Sequence, residues 1–234
     1  MKTMLQKYNT SFEKYYVFLK QVMPHSPWVK SEKINSSFLE VFNAIQENLI
    51  LAEINTDNAM FQSPKSKKIL FAFYKENILS ILIAWPTNHP GFISYNIRTA
   101  CETLLKLVYA HLFPFKNYED VSRTSFRHLK EEIKKSTSGV TKESIIDLCL
   151  LYGESSKQIH GHSTSYSEDD LVINSYFENL FDNVKKFSEA INRLTNIYFI
   201  LNKNLFGFSF FGLRVDQIIK ITSSISTPKI QLLR

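Results

Sequence analysis

The chain has 234 residues, of which 44% are hydrophobic and 21% are charged, as in an ordinary soluble globular protein. A formal net charge of +6 biases it modestly towards polyanionic partners, but the charge is too small and too dispersed for a dedicated nucleic-acid arm. With only six Gly and seven Pro, long helices joined by short loops are favoured over a strand-rich fold.

The sequence predicts neither a signal peptide nor a membrane-spanning helix. The N-terminus lacks an apolar core of signal-peptide length, and the most apolar run, 69–85, is interrupted by Lys75, Glu76 and Asn77. Cys101 and Cys149 both lie in apolar helical patterns, which predicts buried free thiols. We therefore predict a cytoplasmic protein without a membrane span.

The first half of the chain is predicted to form four helices. Apolar residues at helical spacing predict a short helix over 11–23 and a second one from Ser37, where Glu40 completes a capping box. A polar loop is expected over 55–68, and the run 69–85 predicts a central, buried helix. The prolines at 86 and 90 break the chain, and a fourth helix follows until Pro114.

The second half leads to the longest periodic stretch. A single charged helix is predicted over 118–135 and another near 145–152. From 173 to 205 an apolar seam then repeats at alternating spacings of four and three residues, which predicts a helix over 167–205, about 55 Å long. A short helix near 213–221 and a polar tail close the chain. The prediction is one all-α domain, 1–234, a bundle of six to eight helices built on a long C-terminal heptad-patterned helix. We interpret that helix mainly as an intramolecular spine, with a dimer seam as the alternative.

The segment 155–162 is the first candidate site. His160 stands directly before Gly161, and Lys157 lies about one helical turn earlier. An imidazole titrates near neutral pH and suits general acid or base chemistry, while a lysine suits a phosphate. The alternative is helix termination, because Gly is common just after a helix and cationic side chains favour its C-terminus.

Arg98 and Glu102 form the second candidate. They stand four residues apart beside the buried stripe of one helix, so Arg98 could hold a phosphate while Glu102 orients it. The alternative is an ordinary surface ion pair, worth about 0.3–0.5 kcal/mol.

A basic row is the third candidate. Arg123, Arg127, Lys130 and Lys134 follow one another at spacings of four, three and four, which would place four cations on one helical face along a nucleic-acid backbone. The alternative is a solvated face, since two glutamates interrupt the row. The aromatic segment 206–211 is either an exposed partner-binding patch or a core-filling turn. His160 and His162 are two residues apart, a spacing that does not align them on a helix, so we predict no metal and no cofactor.

The Arg-x3-Glu pair at Arg98 and Glu102, with the later Ser-x3-His-Gly segment from Ser156 to Gly161, resembles the HEPN superfamily, closest to its abortive-infection and uncharacterised bacterial members. The resemblance covers about 35–205, with 206–234 as an extension. It implies a helical bundle that is often dimeric, and for many members a metal-independent ribonuclease of toxin–antitoxin or antiviral defence systems. The family signature is Arg-x4-6-His. Here no Arg precedes His160 at that distance, and Arg123 to His128 has the spacing with Thr124 in place of the usual Asn or Asp.

Two functions follow from these observations. The first is a HEPN-like RNA-binding or RNA-cleaving defence protein, in which His160 is the acid or base, Lys157 and Arg98 hold phosphate, and Glu102 orients Arg98. Because the sequence departs from the family signature, the alternative within this hypothesis is a relative that binds RNA without cleaving it. The second is a non-enzymatic module for homodimerisation or for docking to a partner protein.

Overall fold

The structure is a computed structural model that describes residues 4–30, 36–62, 65–159 and 183–234. Within these ranges it contains helices and no strand, which confirms the all-α class. The α-helices are α1 (Met4–Val22), α2 (Pro27–Lys30), α3 (Ser36–Gln62), α4 (Lys65–Ala84), α5 (Pro90–Leu112), α6 (Tyr118–Arg123), α7 (Phe126–Ser136), α8 (Gly139–Ile159), α9 (Val184–Asn204), α10 (Val215–Ser224) and α11 (Thr227–Leu233). Two 3₁₀ turns, Trp85–Thr87 and Phe210–Gly212, complete the described elements.

The predicted count of six to eight helices is wrong, because the described part of the chain alone holds eleven. The predicted polar loop over 55–68 is helical almost throughout, since α3 runs on to Gln62 and α4 begins at Lys65. The stretch 118–135 divides into α6 and α7, and the C-terminal tail contains α11. Packing on the bundle supports a helix at positions where polar composition alone predicts a loop or a tail.

Helix α5 lies at the centre of the bundle. It packs against α4, α7, α8 and α9, and its residues from Ile97 to Tyr109 include a continuous buried stripe. The helices α4 and α5 form a hairpin whose tight turn passes through Asn88 in the left-handed region, φ 57°. Asn77 Nδ2 donates to Thr103 Oγ1 at 2.8 Å and sets the register of the two helices. The buried residues form one continuous hydrophobic cluster, in which both cysteines are buried and free as predicted.

Helix α4 is apolar on nearly every side, yet only two of its sides are covered. Packing against α3 and α5 buries Tyr74, Ile78 and Ile81, whereas Leu79 and Ile83 remain 45% and 53% exposed. By length and composition the stretch Lys67–Thr87 could cross a membrane, with a mean hydropathy of 1.3 in its apolar window, 44% of which is buried inside the bundle. A core helix of a soluble protein has the same properties.

The described part of the predicted long helix is α9, which begins at Val184 after Asn183. Its seam residues Phe187, Ile191, Leu194, Tyr198 and Leu201 are all buried, because α3, α5, α8 and α11 surround it. This part of the seam is therefore occupied within the chain and is not free for a dimer. Residues 167–182 lie outside the described part of the chain, so the full length of the helix stays a prediction.

The C-terminal helices dock onto α3 through polar contacts. Lys220 Nζ bonds Glu53 Oε2 at 2.6 Å, and the buried Glu47 accepts a hydrogen bond from the backbone N–H of Ser226 at 2.8 Å. The latter contact satisfies a free N–H at the start of α11. The carboxylates along α3 thus hold the segment that follows α9.

Candidate basic face on α5, α7 and α8

Arg98 is held by an aromatic pair rather than by a carboxylate. Its Nη2 donates to the Tyr152 hydroxyl of α8 at 3.1 Å, and its guanidinium carbon lies 5.2 Å from the centroid of the Tyr152 ring. Phe126, the first residue of α7, stacks on the same ring with centroids 3.7 Å apart and planes 11° apart. Phe126 covers one face of the Tyr152 ring, so Arg98 contacts the other face and the hydroxyl. Three helices meet at this stack.

The structure does not bring Glu102 to Arg98. Glu102 instead pairs with Lys106 at 2.9 Å, one turn further along α5. Within the described ranges no carboxylate lies in ion-pair distance of Arg98. Lys157 is exposed near the end of α8, and His160 lies outside the described residues, so its distance from Arg98 is not defined.

The basic row does not occupy one helix. Thr124 and Ser125 separate α6 from α7, so Arg123 ends the first helix while the other three cations lie on the second. Arg123 faces Glu119 at 3.9 Å, and Arg127 Nε bonds Glu131 at 3.1 Å. Both arginines are strongly exposed, so these i,i+4 pairs contribute little to stability, yet they neutralise the two positive charges locally.

Lys130 and Lys134 differ from the two arginines. Both are half-buried, and no described carboxylate pairs with either ammonium group. The neighbouring Glu132 is engaged elsewhere: it accepts the Tyr109 hydroxyl and lies 3.3 Å from His128 Nε2. The Tyr109 hydrogen bond, followed by the nearby cations, lowers the pKa of Glu132 despite the opposing effect of desolvation, so it stays ionised.

Cys149 of α8 lies within electrostatic range of the two lysines. Burial raises the pKa of its thiol, while the charges of Lys134 and Lys130 act against that rise. Cys149 precedes Tyr152, the partner of Arg98, by about one turn of α8. The thiol remains protonated and is not suited to nucleophilic chemistry. We define Arg98, Lys130 and Lys134 as the basic face: three cations from two helices, α5 and α7, flanking α8 and unpaired by any described carboxylate.

Such an arrangement can bind a polyanion. Unpaired, partly desolvated cations attract phosphate more strongly than cations that already have a carboxylate partner. Sequence reasoning identified all three cations, but it missed Tyr152 and Phe126, which position Arg98. Tyr152 is 54 residues from Arg98, and only the packing of α5 on α8 brings the two together.

Another strong polar contact was also missed. Arg193 of α9 bonds the carboxylate of Asp147 and, at 3.1 Å, that of Glu154, both on α8. Helical spacing predicts only that Arg193 lies on the polar face of the long helix. In the segment 206–211, Phe206, Phe208 and Phe210 pack on the core, whereas Phe211 is fully exposed, so the core-filling turn describes most of it.

The described residues contain no group of three or more His, Cys, Asp or Glu side chains that could hold a metal ion. Comparison of the chain with protein-family models, curated proteins and solved structures found no match.

Proposed function

We propose that this protein binds RNA through the basic face. The observation that carries the proposal is the position of Arg98, Lys130 and Lys134, three cations flanking α8 that no described carboxylate neutralises. Phosphate contacts supply most of the affinity of sequence-independent nucleic-acid binding, and unpaired lysines suit them. The net charge of +6 favours the encounter. RNA is preferred to DNA because of the HEPN resemblance of the Arg98 and Ser156–Gly161 segments.

Charge reversal on the basic face tests the proposal. Lys130→Glu and Lys134→Glu should each weaken binding of a short fluorescein-labelled single-stranded RNA by about five- to ten-fold at low salt, because each removes a cation and adds a repelling charge. Arg98→Gln should act in the same direction. Fluorescence anisotropy measures the dissociation constants, and circular dichroism checks that the variants remain folded.

Matched controls separate the face from the overall charge. Lys135→Glu and Lys142→Glu change the net charge equally, and both side chains are exposed rather than half-buried. They should weaken binding less than two-fold, by about the screened effect of a distant charge. If the two control variants lose as much affinity as the basic-face variants, or if the wild-type chain binds no RNA, the proposal is wrong.

The catalytic form of the proposal adds metal-independent cleavage, with His160 as acid or base. The same mixtures run on denaturing gels report it, in the presence of a chelator. Cleavage that persists in both His160→Ala and His128→Ala would exclude this form and leave RNA binding alone.

A protein–protein interaction module is the second candidate. The outer side of the α4–α5 hairpin favours it, because Leu79 and Ile83 of α4 and Phe92 and Tyr95 of α5 are large apolar side chains, each more than 40% exposed. They flank the same tight turn, and grouped apolar exposure of this kind is typical of interaction surfaces.

A further inference from the structure

The outer side of α8 carries exposed aliphatic residues. Ile146 is 37% exposed and Leu150 is 55% exposed, and they are four residues apart, so they follow one another along the same side of the helix. The buried residues of α8, such as Leu148 and Leu151, face the bundle instead. We call Ile146 and Leu150 the α8 crest. Two aliphatic side chains at this spacing form a ridge of the kind on which a second helix packs.

One edge of the α8 crest is basic. Lys142 precedes Cys149 by about two helical turns, so both lie on the same side of α8. Cys149 is within electrostatic range of Lys130 and Lys134 of α7, a helix that packs against α8. In the part of the chain that the structure describes, no carboxylate lies in ion-pair distance of these three lysines. This edge therefore carries three positive charges that are available to a partner.

The opposite edge of the α8 crest is largely neutralised within the chain. Asp147 and Glu154 both pair with Arg193 of α9. Glu143, about one turn before Asp147, has no Lys or Arg in ion-pair distance among the described residues. Three unpaired lysines on one edge therefore outweigh one unpaired carboxylate on the other, and the surface around the crest is positive.

We propose that the α8 crest and its basic edge bind an acidic amphipathic helix of a partner protein. The apolar stripe of such a helix would cover Ile146 and Leu150, and its carboxylates would pair with the three lysines. A second copy of this chain fits less well, because a two-fold contact would place lysines against lysines. RNA fits less well, because its phosphates do not cover aliphatic side chains.

The surface shares Lys130 and Lys134 with the basic face, so a partner helix and RNA would compete for the same charges. Binding of the helix does not itself require RNA, and it is measured in the absence of RNA. Failure of this proposal can therefore be distinguished from failure of RNA binding.

Two fluorescein-labelled peptides of the same composition test the chemistry of the partner. Each has about 18 residues, or five helical turns, and is rich in Leu and Glu. In the first, Leu forms one stripe at helical spacing with Glu beside it, whereas in the second the order is scrambled so that Leu is spread around the helix. Fluorescence anisotropy should give a dissociation constant on the order of 10 μM for the amphipathic peptide. The scrambled peptide should bind at least about ten-fold more weakly, because it cannot cover the crest.

Substitutions locate the binding. Leu150→Ser removes half of the crest and Lys142→Glu reverses one charge of its edge, so each should weaken the amphipathic peptide by about five- to ten-fold. Both should leave RNA affinity within about two-fold, because neither residue belongs to the basic face. The matched controls are Ile219→Ser, at a 57% exposed site on α10, and Lys135→Glu, and both should leave the peptide affinity unchanged. Circular dichroism checks that the variants remain folded.

Three results would overturn the proposal. Equal affinity for the two peptides would identify a general polyanion surface, and binding of neither would leave the crest without this partner. Equal loss of peptide affinity in Leu150→Ser and Ile219→Ser would place the peptide elsewhere. A dimer that Leu150→Ser converts to a monomer in light scattering would assign the surface to a second copy and would overturn the proposal as well.

Discussion

His111 is a histidine whose protonation is strongly affected by the fold. Its Nδ1–H donates to the Leu107 carbonyl at 3.0 Å, and its ring packs against Phe206, with centroids 4.5 Å apart, and against Phe71. Burial lowers the pKa of His111 to about 4, and the charge of Lys67 acts in the same direction, whereas the Leu107 hydrogen bond opposes both. The folded protein therefore keeps this imidazole neutral at ordinary pH.

This environment predicts an acid-sensitive stability. A histidine in the unfolded chain takes up its proton near pH 6.5, whereas folded His111 does so only near pH 4, so stability falls as the pH drops from about 6.5 to 4 and then levels off. The loss should reach about 3 kcal/mol at most, since each pKa unit is worth about 1.4 kcal/mol. Urea unfolding of the wild type and His111→Gln measures it, and the substitution should flatten the pH dependence over this window.

His128→Gln is the matched control for that experiment. His128 is exposed and lies beside Glu132, so its removal should leave the acid-sensitive loss of stability in place. The account of His111 is wrong if the wild type and His111→Gln lose stability equally between pH 6.5 and 4.

At the level of single residues, the sequence predicts which residues are buried or charged, but it does not predict which residues they contact. Buried cysteines followed from their apolar surroundings, and the cations of the basic face were all found from spacing. The partners of Arg98 and Arg193 could not be found, because each contact joins residues more than 35 positions apart. Helical spacing predicts neighbours on one helix and is silent about those on the next.

At the level of the helices, a side-chain cap can begin a new helix inside a stretch whose residue spacing predicts a single helix. The break between α6 and α7 is the example: Ser125 Oγ accepts a hydrogen bond from the His128 N–H at 3.4 Å, which begins a new helix in the middle of a charged run. The four-residue periodicity of the basic row continues across the break, so the sequence predicted one helix. The apolar stripe of α5 and the described part of the α9 seam are buried as their spacing predicts, because these helices pack inside the bundle.

The outer side of the α4–α5 hairpin leads to a prediction about assembly. If its apolar residues form a homodimer interface, light scattering should give twice the mass of the chain, 27.3 kDa. The double substitution Leu79→Glu and Ile83→Glu should produce a monomer, because it places charges in a contact that excludes water. Leu150→Glu, at an exposed site on α8, is the control and should leave the dimer intact. A wild-type monomer at high concentration, or a dimer that tolerates both glutamates, would rule this interface out.

At the level of the whole molecule, α8 separates two surfaces of opposite charge. The basic face lies towards α5 and α7, and the carboxylates of Glu40, Glu143, Asp147 and Glu189 line a depression towards α3 and α9. The overall charge of +6 conceals this separation, so composition indicated only a weak preference for polyanions. The all-α class was predictable from few Gly and Pro and long periodic runs, whereas the separation of charges depends on which helices become neighbours.

The salt dependence of RNA affinity tests the central claim most directly. The logarithm of the binding constant falls with the logarithm of salt concentration at a slope of about 0.7 per phosphate contact on a single strand. The variant with both Lys130→Gln and Lys134→Gln should therefore show a slope about 1.4 smaller than the wild type, because it lacks two phosphate contacts. A variant slope equal to that of the wild type would show that the RNA, if bound, lies elsewhere, and would contradict the assignment of the basic face.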